Sequence, residues 1–172
     1  NPASITKVMT LLVAVENIRD LNETYTMSYT FINPLVAEGA TRAGFVSGEA
    51  VCMTDLLYGC ILPSGADATI ALANHIAGGE DGFAELMNNK AKELGLKNTH
   101  FSNTSGLHAS NHYTSALDMA RIMAAAMENE VCRQVLSTPQ YTTAKTPQNP
   151  NGLELVSTLF KRLDQSVILA GK

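Results

Sequence analysis

The stretch PASITKVMTLLVAVENI, residues 2–18, predicts a helix with a serine and a lysine at its beginning. Its apolar residues recur at the i, i+3, i+4 spacing that gives a helix one buried side. Ser4 and Lys7 are three residues apart, so on a helix their side chains share a face. A lysine amine kept neutral by burial can take the proton of a neighbouring serine and create a nucleophile. A second interpretation stays open, in which Ser4 caps the helix and Lys7 is solvated.

A second serine lies on a predicted turn between two helices. Residues 54–62 and 67–77 have helical patterns, and Pro63 and Gly65 interrupt them. Ser64 is therefore predicted on a tight turn, from which its hydroxyl can project into a cleft. An ordinary capping role for Ser64 is the alternative.

The third feature is Lys172, which follows a short apolar run at residues 167–170 that predicts a buried strand. A lysine at the edge of a strand beside a nucleophile can bind a substrate carboxylate and polarise a second serine. A terminal lysine is equally compatible with a solvated chain end.

Together these features resemble the penicillin-recognising serine hydrolases, specifically the low-molecular-mass D-alanyl-D-alanine carboxypeptidases. That family carries S-x-x-K, S-x-N and K-T-G motifs in this order. Residues 4–7 (SITK) match the first motif, residues 64–66 (SGA) match the second in part, and Lys172 matches only the lysine of the third. Residues 103–107 and 112–120 also look like family segments in the same order.

The resemblance implies a serine-type D-Ala-D-Ala carboxypeptidase that removes the terminal D-alanine from peptidoglycan stem pentapeptides through an acyl-serine intermediate. The implied catalytic residues are Ser4 as nucleophile, Lys7 as general base and Ser64 as proton relay to the leaving nitrogen. β-Lactam antibiotics are implied to acylate Ser4 as substrate mimics. The implied chemistry needs neither a metal ion nor an organic cofactor.

The implied substrate-binding residues are Lys172, Gly65 and Ala66. Ala66 departs from the family, which commonly has asparagine at this position, and alanine has no group that hydrogen-bonds to substrate or lysine. We therefore expect substrate positioning to depend on backbone groups or on another residue. Two alternative functions are a serine β-lactamase of the same fold, which needs a carboxylate-activated water, and a catalytically inactive peptidoglycan-binding module.

The resemblance also implies an α+β architecture, the β-lactamase/transpeptidase-like fold, with a five-stranded antiparallel sheet and a helical lobe. Residues 1–172 are expected to form one partial domain that is mostly helical lobe. The N-terminal strands and the strands from the third motif onward are expected to be missing from it, so we expect this chain alone to be inactive. Periodicity and end signals predict helices at residues 4–19, 54–62, 67–77, 80–94 and 115–128. Extended segments are expected at residues 38–45, 98–102, 141–144 and 167–170.

Composition excludes some partners. A net charge of −4 and an isoelectric point near 5.5 give no basic footprint for nucleic acid. The chain has no apolar run long enough to cross a membrane. The resemblance implies an extracytoplasmic protein on the outer face of the bacterial cytoplasmic membrane, which it contacts only through a C-terminal anchor absent from this stretch.

The remaining reactive side chains do not predict a metal site. His108 and His112 are four apart in a loop rich in Gly, Ser and Asn, without an evident third ligand. We expect His112 to hydrogen-bond around the loop that borders the cleft. Cys52, Cys60 and Cys132 are odd in number and are expected to be small buried residues.

Overall fold

Helix α1 lies at the centre of the molecule. The computed structural model describes residues 2–162 and 169–172. A 3-10 helix, Ala3–Ile5, leads directly into α1, Thr6–Asn17. All residues of α1 from Thr6 to Ala14 are buried, so this helix is enclosed by others instead of covering a core with one face. The helix predicted at residues 4–19 is confirmed, except that its first turn is 3-10 and its end comes two residues earlier.

Six further helices surround α1 or cover its neighbours within the described residues. They are α2 (Tyr29–Ala37), α3 (Met53–Ile61), α4 (Ala66–Ala77), α5 (Glu80–Glu93), α6 (Ala116–Glu128) and α7 (Glu130–Ser137). Helices α3 to α7 all contact α1, whereas α2 packs on α4. The predicted bounds of α3, α4, α5 and α6 are confirmed to within one residue. Helices α2 and α7 were not predicted.

The strands are short and form two separate antiparallel pairs. Strand β1 (Thr24–Thr26) pairs with β2 (Ala50–Cys52), and β3 (Gln140–Thr142) pairs with β4 (Glu154–Val156). Within residues 2–162 and 169–172 no larger sheet is present. The extended segment predicted at residues 141–144 is confirmed in part by β3. Residues 167 and 168 lie outside the described residues, and 169–170 form no strand.

Two predicted extended segments were wrong, for one physical reason. Residues 38–45 and 98–102 form no strand, apart from an isolated bridge between His100 and Tyr113. Several of their backbone N–H groups are bound by side chains instead of a neighbouring strand, namely those of residues 43–45, Asn98, Phe101 and Ser102. In the second segment, for example, Asn98 donates to the Asp118 carboxylate at 2.9 Å. A backbone group with a side-chain partner is satisfied without a sheet.

Asp67 binds the backbone at the end of the first of these segments, residues 38–45. Its buried carboxylate accepts N–H groups from Ala43 at 2.7 Å, Gly44 at 3.0 Å and Phe45 at 3.2 Å. Burial raises the pKa of Asp67, and the backbone hydrogen bonds oppose that rise. A Cβ atom on Gly65 would lie 2.6 Å from Asp67 Oδ1, so the turn before α4 passes this carboxylate only as glycine. The interaction therefore fixes residues 43–45 against the beginning of α4.

We predict that Asp67→Asn lowers the free energy of unfolding by about 2–3 kcal/mol, because an amide N–H group would face the backbone donors that a carboxylate accepts. Asp81→Asn is the matched control, since Asp81 is exposed in the first turn of α5 and shares only the helix-dipole contribution. Urea unfolding of both variants measures the difference. Equal midpoints for the two variants would show that the Asp67 bonds contribute nothing specific.

Candidate active site

Ser4 and Ser64 are brought together across the fold. Ser4 is exposed on the 3-10 turn that precedes α1, and Ser64 lies on the turn between α3 and α4. The Ser64 hydroxyl donates a hydrogen bond to Ser4 Oγ at 3.0 Å. The two serines are 60 residues apart in sequence, so this contact exists only in the folded chain. Two of the predicted site residues thus form a hydroxyl pair.

Lys7 is the second residue of α1, and its amine lies out of water. The side chain is only 3% exposed, which makes the interpretation of Lys7 as a solvated residue wrong. Its Nζ donates to the backbone carbonyl of Ser105 at 2.6 Å. Burial lowers the pKa of Lys7, partly opposed by negative charge on neighbours such as Asp67 and Glu80. A neutral amine therefore forms at lower pH here than on a solvated lysine.

The turn that carries Ser64 is held in an unusual backbone conformation. Ser64 has a φ of +67°, in the left-handed region, which costs a non-glycine residue about 1–2 kcal/mol. The following N–H groups close the turn, since Gly65 donates to Gly59 and Ala66 donates to Thr41, both at 2.9 Å. Gly65 is the N-cap of α4, so the interpretation of Ser64 as a capping serine is wrong.

Lys172 is also turned inward. Its Nζ donates to the carbonyl of Ile61, at the end of α3, at 2.8 Å. Burial lowers the pKa of Lys172 to about 8, and the positive charge of Lys7 adds to this effect. Lys172 is therefore not a solvated chain end. The polarising contact with Ser64 expected from the sequence is replaced by the bond to Ile61.

Two clefts meet at the hydroxyl pair. The larger cleft, of about 490 Å³, and the smaller cleft, of about 280 Å³, both have Ser4 and Ser64 in their walls. Lys172 and Arg162 line the larger cleft, while Lys7 and Ala66 line the smaller one. Among the described residues no aspartate or glutamate lines either cleft. The site is thus cationic and accessible from two sides.

Two site groups were missed by the sequence analysis. Arg162 lies in a polar stretch without a motif, so nothing in the sequence distinguished it. The Ser105 carbonyl is a backbone group, whose position no residue type reveals. The segment around it was recognised only as similar to the family. The sequence did indicate that a group other than the usual asparagine must serve this site, because Ala66 cannot form a side-chain hydrogen bond.

The 102–107 segment, which carries the Ser105 carbonyl, lies directly against the beginning of the chain. The Asn103 side chain closes its turn, because Oδ1 accepts from Gly106 N at 2.8 Å and Nδ2 donates to Leu107 O at 2.9 Å. Gly106 has a φ of +84°, and a Cβ there would overlap the carbonyl of Ala3. Only glycine permits this approach between the segment and the 3-10 helix.

The other reactive side chains do not assemble a metal site. Within the part of the chain that the structure describes, no group of three or more His, Cys, Asp or Glu side chains is arranged to hold an ion. Cys60 and Cys132 are free and buried, as expected, and Cys52 is half-buried. Burial raises the pKa of the Cys60 thiol to about 11. Cys60 therefore stays protonated beside Lys7.

Sequence comparison identifies the family of this chain. The family model described as "D-alanyl-D-alanine carboxypeptidase" matches residues 1–162. The chain is 41% identical over 119 residues to D-alanyl-D-alanine carboxypeptidase DacF of Bacillus subtilis, a match covering 69% of this chain and 31% of DacF. It is 37% identical over 162 residues to DacD of Escherichia coli, covering 89% and 42%. The chain thus spans less than half the length of these curated relatives.

Comparison with solved structures agrees with the family match from sequence. The crystal structure of a Streptomyces DD-transpeptidase superposes with a TM-score of 0.79 at 34% identity, covering 90% of this chain and 61% of that one. A D-alanyl-D-alanine carboxypeptidase from Mycobacterium tuberculosis superposes with a TM-score of 0.80 at 32% identity, covering 91% and 57%. The helix-rich α+β chain shares the β-lactamase/transpeptidase fold of these neighbours. Sequence, fold and the placement of its motifs together show that the chain belongs to the D-alanyl-D-alanine carboxypeptidase family of serine peptidases.

Proposed function

We propose that this chain supplies the nucleophile, the general base and the second serine of a D-Ala-D-Ala carboxypeptidase. The observation that carries the proposal is the hydroxyl pair of Ser4 and Ser64 at 3.0 Å, placed where two clefts meet. The buried amine of Lys7, with its lowered pKa, lies one helical turn from Ser4. A nucleophile beside a base of reduced pKa is the arrangement that acyl transfer requires.

In the first half-reaction Ser4 Oγ attacks the carbonyl carbon between the two terminal D-alanines, and the neutral Lys7 amine takes the Ser4 proton. The backbone N–H of Ser4 donates to the developing oxyanion. The bond from the carbonyl carbon to nitrogen breaks, Ser64 delivers its proton to the leaving D-alanine nitrogen, and the Lys7 ammonium returns its proton to Ser64. In the second half-reaction water attacks the ester while the Lys7 amine takes a proton from it, and Lys7 passes that proton to Ser4 Oγ as it leaves.

Ser105 supports the role of Lys7 in this scheme. A neutral amine has two N–H groups and one lone pair, so the hydrogen bond to Ser105 leaves the lone pair available for the Ser4 proton. The same bond holds Nζ in the wall of the smaller cleft. The Ser105 carbonyl thus supplies a hydrogen bond to Lys7 at a site where the Ala66 side chain has no group to offer.

The proposed substrate is a peptidoglycan stem peptide, with β-lactams as mimics that acylate Ser4. A terminal D-alanine carries a carboxylate, which suits the cations Lys172 and Arg162 in the larger cleft. Gly65 shapes the turn beside the hydroxyl pair, and Ala66 forms part of the smaller cleft.

A β-lactamase of the same fold would need a carboxylate next to the acyl-serine to activate water. Glu80, one of two acidic residues in the first turn of α5, instead accepts hydrogen bonds from the N–H and hydroxyl of Thr104, at 3.2 and 2.6 Å. Glu80 is not among the residues that line either cleft. These contacts favour the carboxypeptidase over the β-lactamase.

We infer an extracytoplasmic location from the substrate, because peptidoglycan lies outside the bacterial cytoplasmic membrane. A role in cell-wall synthesis and cell shape follows from trimming stem peptides. No helix within the described residues combines the length and hydrophobicity needed to cross a membrane.

The first prediction from the proposed function concerns acylation of Ser4. Incubating the protein that carries residues 1–172 with a penicillin is expected to add one penicillin mass at Ser4, measured by intact-mass and peptide mass spectrometry. Ser4→Ala should form no adduct, whereas Ser110→Ala, which changes an exposed serine outside the lining of both clefts, should form it normally. A long-lived adduct indicates a carboxypeptidase and a rapidly hydrolysed one a β-lactamase. Folded protein without an adduct would support the inactive binding module.

The second prediction separates catalysis from stability at Lys7. Lys7→Met should slow penicillin acylation by about 100-fold or more, because the general base is lost. At pH 7 the variant should be at least as stable as the wild type, since methionine removes the cost of burying an amine. Lys92→Met, at an exposed position of α5, is the control for both measurements. Unchanged acylation in Lys7→Met would exclude this base.

The pH dependence of the same variant gives a further check. Between the lowered pKa of Lys7 and the ordinary 10.5, the unfolded chain binds more protons than the folded protein. The free energy of unfolding of the wild type therefore rises with pH across this window. Lys172 adds a similar rise between about pH 8 and 10.5 in both proteins. We expect a smaller rise in Lys7→Met, and identical slopes would contradict a lowered pKa of Lys7.

The third prediction concerns Ala66. Ala66→Asn adds an amide to the smaller cleft beside Lys7 and Ser105. One hydrogen bond to the ligand contributes about 1 kcal/mol, so the second-order acylation constant should rise roughly fivefold. Ala66→Leu has the same number and branching of side-chain heavy atoms without the amide and should not raise it. A gain in both variants would point to packing instead of hydrogen bonding.

A further inference from the structure

A buried histidine lies behind the turn of α1 that carries Lys7, outside the lining of both clefts. His112 is 2% exposed, and its ring meets that of Phe101 edge-on with centroids 5.7 Å apart. Its Nε2 lies 2.8 Å from the hydroxyl of Thr6, the residue before Lys7. Its Nδ1 accepts the backbone N–H of Ser102 at 3.1 Å. One ring therefore contacts both α1 and the 102–107 segment.

These partners define the state of the ring. A backbone N–H only donates, so Nδ1 is the unprotonated acceptor, and the proton lies on Nε2, which donates to Thr6. An imidazolium ion would place a second donor against the Ser102 N–H and break that bond. Burial lowers the pKa of His112, with the charge of His100 acting in the same direction, which keeps this neutral form.

The 102–107 segment is attached to α1 at three points. Thr6 binds it through His112, Thr10 donates from its hydroxyl to the carbonyl of Thr104 at 2.7 Å, and Lys7 donates to the carbonyl of Ser105. Residues three and four apart on a helix share a face, so these three side chains point to one side of α1. These three contacts fix the position of the segment both along the axis of α1 and around it.

Ser102 is where the segment begins, and His112 is the side chain that holds its N–H. Without that acceptor the half-buried end of the segment loses its partner and one of the three attachments to α1, while the bonds at Thr104 and Ser105 remain. The Ser105 carbonyl is the hydrogen-bond acceptor of Lys7 Nζ. A shift at Ser102 is therefore transmitted to the amine that removes the Ser4 proton.

We propose that His112 is a positioning residue for Lys7, which acts by holding the 102–107 segment so that the Ser105 carbonyl orients the amine. The inference rests on the proposed function, in which Lys7 is the general base. His112 touches neither substrate nor reacting atoms. Displacement of a reacting group by about 1 Å costs on the order of 100-fold in rate.

Two substitutions separate the two bonds of the ring. His112→Asn keeps an acceptor near the position of Nδ1 and so keeps the bond to Ser102. His112→Gln keeps a donor near the position of Nε2 but lacks the acceptor for Ser102. His100→Gln is the control, because the His100 ring is bound to the carbonyl of Asn111 instead of to Ser102 or Thr6.

The experiment measures penicillin acylation of Ser4 in the protein that carries residues 1–172, separating non-covalent affinity, the acylation rate constant and the final adduct stoichiometry. We expect His112→Gln to lower the rate constant about 10- to 100-fold, with affinity and stoichiometry unchanged. His112→Asn and His100→Gln should remain within about threefold of the wild type. A structural role would instead reduce stoichiometry through unfolded protein.

Three results would overturn the inference. An unchanged rate constant in His112→Gln, while the wild type forms its adduct, removes the positioning role and leaves the proposed function intact. Equal losses in His112→Gln and His112→Asn assign the effect to packing of the ring. No Ser4 adduct in the wild type overturns the proposed function and this inference with it.

Discussion

Burial of the Lys7 amine is the constraint on which the rest of the site depends. Removing an amine from water costs several kcal/mol unless polar partners replace the solvent. The partner here is the carbonyl of Ser105, 98 residues away, with negative charge from Asp67 and Glu80 at longer range. The chain must therefore bring a specific carbonyl to the first turns of its central helix. This requirement explains why so much of the polar bonding surrounds the 102–107 segment.

Within the described residues, buried carboxylates hold segments that are distant in sequence, and no large sheet does so. Asp55 accepts the hydroxyl of Tyr141 at 2.7 Å and the N–H of Ala144 at 3.0 Å, while the Tyr141 ring stacks on Tyr58 with centroids 3.8 Å apart. Glu49 is also buried and accepts from Thr146 and Asn149. Asp67 does the same for residues 43–45. In each case a carboxylate in or beside a helix or strand holds a segment that is distant in sequence.

The use of buried side chains in place of a larger sheet determines which parts of the fold and of the site can be predicted from the sequence. Helices α3 to α6 follow from periodicity and end signals, because their apolar stripes face one core. Helix α1 has the same periodicity, although it is buried on all sides from Thr6 to Ala14. Helix α7 was missed since a single residue, Asn129, separates it from α6, and its Oδ1 caps the new helix at Cys132 N. Helix α2 contains Pro34, which in a sequence indicates a break. Ser4, Lys7 and Ser64 were found because side chains carry their chemistry, whereas the Ser105 carbonyl has no residue signature.

The distances along the chain between the site residues have a consequence for folding. Ser4 meets a partner 60 residues away and Lys7 one 98 residues away, and both contacts span the helices that form the core. Contacts between residues so far apart in sequence form only when the helices between them have packed together. A partly folded chain therefore contains Ser4 and Lys7 on one local turn, yet lacks the second hydroxyl and the carbonyl that orients the amine. Covalent capture of a β-lactam at Ser4 would thus count native molecules during refolding, one label for each completed fold.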